Sequence, residues 1–380
     1  MYFKRKLDLN RVLKKKSAFL LGPRSCGKTF LLHKTVQADR TYDLLNLQTL
    51  KRLLIRPSLI YEEIRRNREI VVVDEIQKIP ELLSEVHRAI EEKQTRFLLT
   101  GSSARKLKRS QSNLLGGRAT HLELFPLMYN EIPDFDLNRY LHHGGIPRHY
   151  LASMDDVQGE LDDYTSLYLK EEILDEAVTR NLEGFSRFLE IMAIHSGDEL
   201  ALESFASDCG IKVGTFRNYI EVLKDTLIGF EVPAFTKTKK RKAITRSKLF
   251  LFDVGIGNFL ANRGRLTPKS ELYGKAFEHF IALELRAFIN YNHLRAPLAY
   301  WRSTSQFEVD FIVGNQLAIE VKSTELVHER MLKGLRAFAE EKIAKHYIVI
   351  SRDHRPRRVG NIEILPWQMF LAQLWQRHWL

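Results

Sequence analysis

Short apolar runs separated by amphipathic stretches fill the first 150 positions of the chain. Ala18-Phe19-Leu20-Leu21, Ile70-Val71-Val72-Val73 and Phe97-Leu98-Leu99 each end on glycine or a polar residue. Runs of this length, with no polar alternation, predict strands buried on both faces and so a parallel sheet covered by helices. The strands fall at 17–22, 70–74 and 96–100, with others near 41–46 and 119–124. Gly144-Gly145-Ile146-Pro147 is a turn signal and the expected hinge into a helical region.

From 151 to about 200 the chain is rich in Leu, Glu and Asp, and Tyr164, Leu167, Tyr168 and Ile173 recur at helical spacing. Residues 202–210 read as a short helix ending at a glycine turn. Residues 213–223 read as a longer helix turning Phe216, Ile220 and Leu223 inward, and 228–235 as a strand. That order predicts a winged helix-turn-helix. It either offers Lys212, Thr215, Arg217 and Asn218 to a DNA major groove or serves as a plain packing module. From about 265 the period changes to two. Phe307-Glu308-Val309-Asp310-Phe311 and Leu317-Ala318-Ile319-Glu320-Val321-Lys322 alternate across a Gly314-Asn315 turn, which sets Glu308, Asp310, Glu320 and Lys322 on shared faces of a hairpin. The expected fold class is α/β in three parts: a parallel-sheet core over 1–150, a helical and winged-helix domain over 151–262, and a second α/β domain over 263–380.

The candidate chemistry lies at the ends of these strands. Gly22-Pro23-Arg24-Ser25-Cys26-Gly27-Lys28-Thr29 is a complete G-x-x-x-x-G-K-[ST] phosphate loop between a predicted strand and a helix that opens on Phe30. Its backbone N–H groups would cradle the α- and β-phosphates of ATP. Lys28 would reach the β/γ oxygens, and the Thr29 hydroxyl would sit on Mg²⁺. Asp74 and Glu75 close the 70–74 strand as a Walker B pair, Asp74 for the metal and Glu75 for the attacking water. Two adjacent carboxylates favour hydrolysis over small-molecule kinase chemistry. Ser102 or Ser103 is placed to sense the γ-phosphate, and either serine also suits the cap of a helix starting near Ala104. Arg118, after a glycine turn, is the candidate arginine finger, in its own subunit or a neighbour's. In the C-terminal hairpin, Asp310 and Glu320, with Glu278 from an upstream helix, supply hard oxygens for Mg²⁺. Lys322 would position or deprotonate a water for phosphodiester hydrolysis, and charges paired across an ordinary hairpin give the same spacing.

The 380 residues carry a formal net charge of +12, which favours a polyanionic partner such as DNA. The densest basic run is Lys237, Lys239, Lys240, Arg241 and Lys242, with Arg246 and Lys248 just beyond; it reads as a phosphate-contacting wing or as a solvated loop. Two cysteines exclude a disulfide framework and fit a reducing cytoplasm. No run is long enough to span a bilayer, and no apolar amphipathic helix accompanies the basic run to make it a membrane anchor.

In order along the chain, 22–29, 71–82, 99–107, 113–118, 124–127, 144–147, 308–312 and 319–322 resemble a prokaryotic family of AAA-type P-loop ATPases. The resemblance covers nearly the whole chain. It implies an AAA-type core, a winged-helix middle and a C-terminal restriction-endonuclease-like domain of the PD-(D/E)xK kind, with Val309 standing where that pattern has proline. It also implies a homo-oligomer, possibly a ring, with ATP sites between subunits. Two functions fit the sequence: an ATP-driven DNA-binding enzyme with a Mg²⁺ nuclease site, and an ATP-switched regulatory or binding protein whose nuclease-like domain is catalytically silent.

Overall fold

The computed structural model describes residues 2–103, 115–169 and 181–380. The helix expected near Ala104, the positions around Ile173, and the parts of the resembling stretches at 104–107 and 113–114 lie outside the described residues.

Five strands form the first sheet: β1 (Ser17–Leu21), β2 (Arg40–Asp43), β3 (Ile70–Asp74), β4 (Arg96–Gly101) and β5 (Ala119–Glu123). Their spatial order is β2-β3-β4-β1-β5, and every pairing is parallel. β1 is buried at all five positions, as its unbroken apolar run requires, whereas the edge strand β2 buries only Tyr42. Because all strands run the same way, the loops after β1, β3 and β4 emerge together at one end. Gly22 is required at that end: a Cβ there would lie 2.5 Å from the Leu124 carbonyl oxygen.

The middle region packs helices Leu182–Ile194, Leu202–Asp208 and Val213–Asp225 against a hairpin of β6 (Gly229–Val232) and β7 (Lys248–Leu251), which pair antiparallel. Gly210, at φ 66°, makes the turn between the second and third helices. Phe216, Ile220 and Leu223 are buried, while Lys212, Arg217 and Asn218 are exposed. Phe188 meets Phe216 edge-on at 5.0 Å between ring centroids.

The third region opens with the helix Glu271–Tyr291, whose first turn is capped by Ser270. Six strands follow: β8 (Leu298–Arg302), β9 (Glu308–Val313), β10 (Leu317–Val321), β11 (His346–Ser351), β12 (Arg357–Val359) and β13 (Ile362–Pro366). β8, β9 and β10 form an antiparallel meander, and β11 and β13 join it in parallel, in the order β12-β13-β11-β10-β9-β8.

The three regions interlock. One core cluster takes Phe3, Leu127 and Tyr140 from the first region, Phe230 and Phe250 from the second, and Phe280, Phe311 and Trp367 from the third. The 144–147 turn is held by a buried carboxylate. Asp253, fully buried, accepts the Gly145 N–H at 2.7 Å and the Ile256 N–H at 3.0 Å, and a Cβ on Gly144 would lie 2.0 Å from its carboxylate. Burial pushes the Asp253 carboxyl up to about 6, against the backbone N–H groups that hold it down. Among the described residues no helix is long and apolar enough to cross a membrane.

Candidate functional site

The phosphate loop leaves the buried end of β1 and turns into the helix Lys28–Thr35 through Gly27, at φ 90°, with Ser25 also left-handed at φ 62°. Lys28 is 6 % exposed and folds back over the loop, its Nζ 2.7 Å from the Gly22 carbonyl and 3.0 Å from that of Pro23. Such a fold-back leaves an ammonium group at the mouth of the loop with a short path to a phosphate oxygen. Cys26 is buried, Ser25 and Thr29 face solvent, and Tyr164 Oη donates to the Arg24 carbonyl at 3.2 Å. Phe30 is half exposed beside Tyr2, at 5.8 Å between rings.

Thr29 Oγ1 donates to Asp74 Oδ2 at 2.9 Å, so the hydroxyl and carboxylate expected to share a metal already meet. The pair of hard oxygens fits Mg²⁺, which is held by few protein ligands plus water and nucleotide. Thr100, at the end of β4, donates to the other Asp74 oxygen and accepts the Glu75 N–H at 3.1 Å. Glu75 is left-handed, at φ 62°, a conformation that costs a non-glycine residue energy and turns its side chain off the strand axis. Gln77 Nε2 donates to Glu75 Oε2 and reaches Ser102 Oγ at 3.3 Å. Sequence reasoning missed both Thr100 and Gln77. The only signal was that β4, between β1 and β3, carries a hydroxyl, Thr100, one residue before its end.

Arg118 stands elsewhere. It precedes β5, whose first residue Ala119 pairs with Ser17 at the start of β1, and its guanidinium is bonded to Glu91. The phosphate loop leaves the other end of β1, so Arg118 cannot serve the loop of its own chain. The expectation of a role within its own subunit is corrected by this parallel register.

The second set converges on a pocket of about 360 Å³ between the meander and the middle region, with Glu278, Glu308, Asp310, Glu320 and Lys322 in its wall. The pairing of Ile319 with Phe311 sets Glu320 opposite Asp310 across the hairpin. Asp310 Oδ2 accepts the Val321 N–H at 2.7 Å, Lys322 Nζ pairs with Glu320 Oε1 at 2.5 Å, and Glu320 Oε2 is buried with no hydrogen-bond partner among the described residues. Burial and the Asp310 charge hold the Glu320 carboxyl well above the carboxylate range. An orphaned buried carboxylate oxygen facing a second carboxylate suits a divalent cation. Among the described residues no group of three His, Cys, Asp or Glu forms a ready-made metal cluster.

Lys248 changes the expected picture. Read from sequence as part of a basic DNA-facing run, it is 4 % exposed, with Nζ 2.8 Å from Glu308 Oε1 and 3.2 Å from Glu278 Oε1. Burial works against its charge, but Glu278, Glu308 and Asp310 outweigh that and keep the ammonium protonated. Glu278, expected as a metal ligand, enters the pocket as the partner of Lys248, and burial lifts its carboxyl to about 7. The rest of the run is not a free wing. The backbone N–H groups of Lys239, Lys240 and Arg241 all bond to the Glu341 carboxylate, and Ala243 bridges to Ser303, which pins the segment along β8. The side chains of Lys237, Lys239, Lys240, Lys242 and Arg246 remain exposed.

Comparison with known proteins agrees with the N-terminal geometry. Residues 14–133 match the family described as AAA domain, and residues 134–267 and 273–370 match two families described as domains of unknown function, DUF8612 and DUF4143. The first region is therefore an AAA-type P-loop domain. The chain is 26 % identical over 360 residues to the uncharacterized protein Rv2008c of Mycobacterium tuberculosis, covering 91 % of this chain and 79 % of that one. It is 23 % identical over 337 residues to the uncharacterized protein MJ1544 of Methanocaldococcus jannaschii, covering 80 % and 73 %. Among solved structures, it overlaps the ORC1 protein of Aeropyrum pernix in complex with DNA at a TM-score of 0.29 and 13 % identity, over 70 % of this chain and 94 % of that one. It overlaps Drosophila ORC bound to AT-rich DNA and Cdc6 at a TM-score of 0.23 and 12 % identity, over 67 % and 87 %. Both scores are too low to speak for a shared overall fold.

Proposed function

We propose that this chain hydrolyses ATP at its N-terminal phosphate loop, engages DNA through its middle region, and carries a Mg²⁺-dependent nuclease site in the C-terminal pocket. The observation that carries the reading is the 2.9 Å contact of Thr29 with Asp74 beside the buried Lys28. In this reading the loop N–H groups and Lys28 hold the triphosphate, Thr29 and Asp74 hold Mg²⁺, and Glu75 orients the attacking water. Bound Mg²⁺ supplies charge neutralisation at the phosphates. Gln77 keeps the Glu75 carboxylate turned toward Ser102 until a nucleotide offers a water for it. Exposed Lys212, Arg217 and Asn218, with the pinned lysines at 237–242, supply phosphate contacts on DNA. In the pocket, Asp310 and Glu320 hold Mg²⁺, and Lys322 orients the water. Assembly into a homo-oligomer, possibly a ring, brings Arg118 of one subunit to the ATP of the next.

A second reading has its own support. Asp310 Oδ2 is already engaged by Val321 and Lys322 by Glu320, as in an ATP-switched binding or regulatory protein whose nuclease-like domain is silent. Two assays separate these readings. Phosphate release from ATP is expected from wild type and not from Lys28→Ala; no ATP affinity, with Lys28→Ala indistinguishable from wild type, overturns the ATPase assignment. Nicking of plasmid and branched DNA, with and without ATP, is then compared with Asp310→Ala. Nicking lost in the variant supports the enzyme, and no nicking by wild type supports the switch.

A further inference from the structure

The lining of the C-terminal pocket is unequally charged. Six carboxyl groups face four cationic side chains, so with every carboxyl ionised, as metal binding requires, the wall carries two negative charges in excess. One divalent cation balances them; a second would reverse the sign.

The geometry divides the carboxylates in the same way. On one side Glu320 Oε2 is buried without a partner among the described residues, and Asp310 lies opposite it across the hairpin. On the other side Lys248 Nζ lies between Glu308 and Glu278, at 2.8 and 3.2 Å. This ammonium cannot drift away. β7 fixes its backbone against Val232 and a bridge to Glu199, and the side chain lies over the Tyr300 ring at 5.1 Å. A cation that holds two carboxylates at hydrogen-bond distance occupies the space a second metal ion would need and repels any ion that approaches. Two carboxylates and several waters are an ordinary shell for Mg²⁺ or Mn²⁺.

We infer that the pocket takes a single divalent cation between Asp310 and Glu320, and that Lys248, delivered by the middle hairpin, is a tethered cation that keeps Glu278 and Glu308 out of coordination and excludes a second ion. The inference rests on the metal reading proposed for this pocket. It makes Lys248 a positioning residue and makes the site a joint product of the middle and C-terminal regions.

The test counts ions instead of turnover. Full-length protein without nucleotide is titrated with Mn²⁺ and followed by electron paramagnetic resonance, and the ions lost in Asp310→Asn are assigned to the pocket. Wild type is expected to bind one such ion, Lys248→Arg one, and Lys248→Met two. Two Asp310-dependent ions in wild type or in Lys248→Arg, or still only one in a folded Lys248→Met, overturn the inference and leave the metal reading standing. If Lys248→Met fails to fold, the counts for wild type and Lys248→Arg decide. No Asp310-dependent ion in wild type overturns both.

Discussion

Arg5 Nη1 donates to the carbonyl oxygen of Cys26 at 2.8 Å, tying the start of the chain to the middle of the phosphate loop. The same guanidinium reaches the Phe125 carbonyl through Nη2 at 2.5 Å and pairs with Glu131 through Nε at 2.9 Å, with both side chains nearly fully buried. Tyr291 Oη, which accepts the Phe125 N–H at 3.2 Å, completes the cluster. Tyr291 ends the helix that carries Glu278, so the loop that would hold ATP and the helix that lines the second pocket share one buried arginine. Along that helix the two residues are separated by roughly 20 Å at about 1.5 Å per residue.

Removing the arginine leaves the buried Glu131 charge without its cation, held only by the Lys6 and Met128 backbone N–H groups. Arg5→Met is therefore expected to destabilise the protein by about 3–5 kcal/mol and to weaken ATP binding, because the Cys26 carbonyl loses its donor. The double variant Arg5→Met with Glu131→Met is expected to regain part of that stability, because the Lys6 and Met128 N–H groups lose their acceptor, but not ATP affinity. Urea denaturation and fluorescent-nucleotide titration separate the two effects. Equal stability of the single and double variants would remove the buried pair from the account.

Much of the molecule was legible because its signals are local. β1, β3 and β4 are unbroken apolar runs, the phosphate loop and the Asp74-Glu75 pair are contiguous, and Asp310 and Glu320 follow from strand alternation. What escaped depends on contacts between distant residues. Lys248 sits in a run of cations, and nothing within that run reveals that Glu278 and Glu308, much later in the chain, surround it. Arg5 looks like one more basic residue near the amino terminus until the fold brings it against Cys26 and Glu131. The role of Arg118 turned on strand pairing: its neighbours in sequence gave no sign that β5 runs parallel to β1 and so begins at the end remote from the loop.

Two glycines test the joint between the first two regions. A Cβ on Gly145 would lie 2.5 Å from the Tyr140 hydroxyl and 2.7 Å from the Leu127 carbonyl, whereas a Cβ on Gly159, inside the helix Val157–Asp163, meets nothing within 4 Å. Gly145→Ala is expected to cost about 1–3 kcal/mol through overpacking. Gly159→Ala is expected to gain roughly 0.4–1 kcal/mol, since it only reduces the freedom of the unfolded chain. Thermal or denaturant unfolding checks both, and equal midpoints for the two variants would show that the turn can open to admit the methyl group.

Two buried histidines make a contribution to stability that acid removes. Burial pushes the imidazoles of His149 and His279 down to about 4, and His279 Nε2 donates to the Leu251 carbonyl at 2.6 Å. Both titrate near 6.5 in the unfolded chain, so between pH 6.5 and 4 the unfolded state binds protons that the folded state refuses. Their share of the stability is fully present above that window and falls within it, by at most roughly 1.4 kcal/mol per pH unit for each histidine, while Asp253 and Glu278, raised to about 6 and about 7, take up protons on folding and oppose that fall. His279→Gln, which keeps a donor for Leu251, is expected to lose less stability than wild type, or gain more, on going from pH 6.5 to 4.5. Denaturant midpoints across that range check it, and an unchanged slope would assign the acid sensitivity to other groups.

Arg118 provides the test of assembly. Its side chain is 39 % exposed, bonded to Glu91 and to the Gly116 carbonyl, and it stands at the end of β1 opposite the phosphate loop of its own chain. Given to a neighbouring subunit, it would neutralise charge on the transferred phosphoryl group, a contribution of about 10³-fold or more in turnover. Arg118→Ala is therefore expected to bind ATP normally and to turn it over far more slowly. Lys28→Ala is also inactive, but for lack of a loop lysine, and its subunits still present an intact Arg118. Co-assembling the two inactive variants should restore part of the phosphate release, because some interfaces then pair an intact loop with an intact arginine. If the mixture stays as inactive as its components while both variants assemble, Arg118 does not act between subunits.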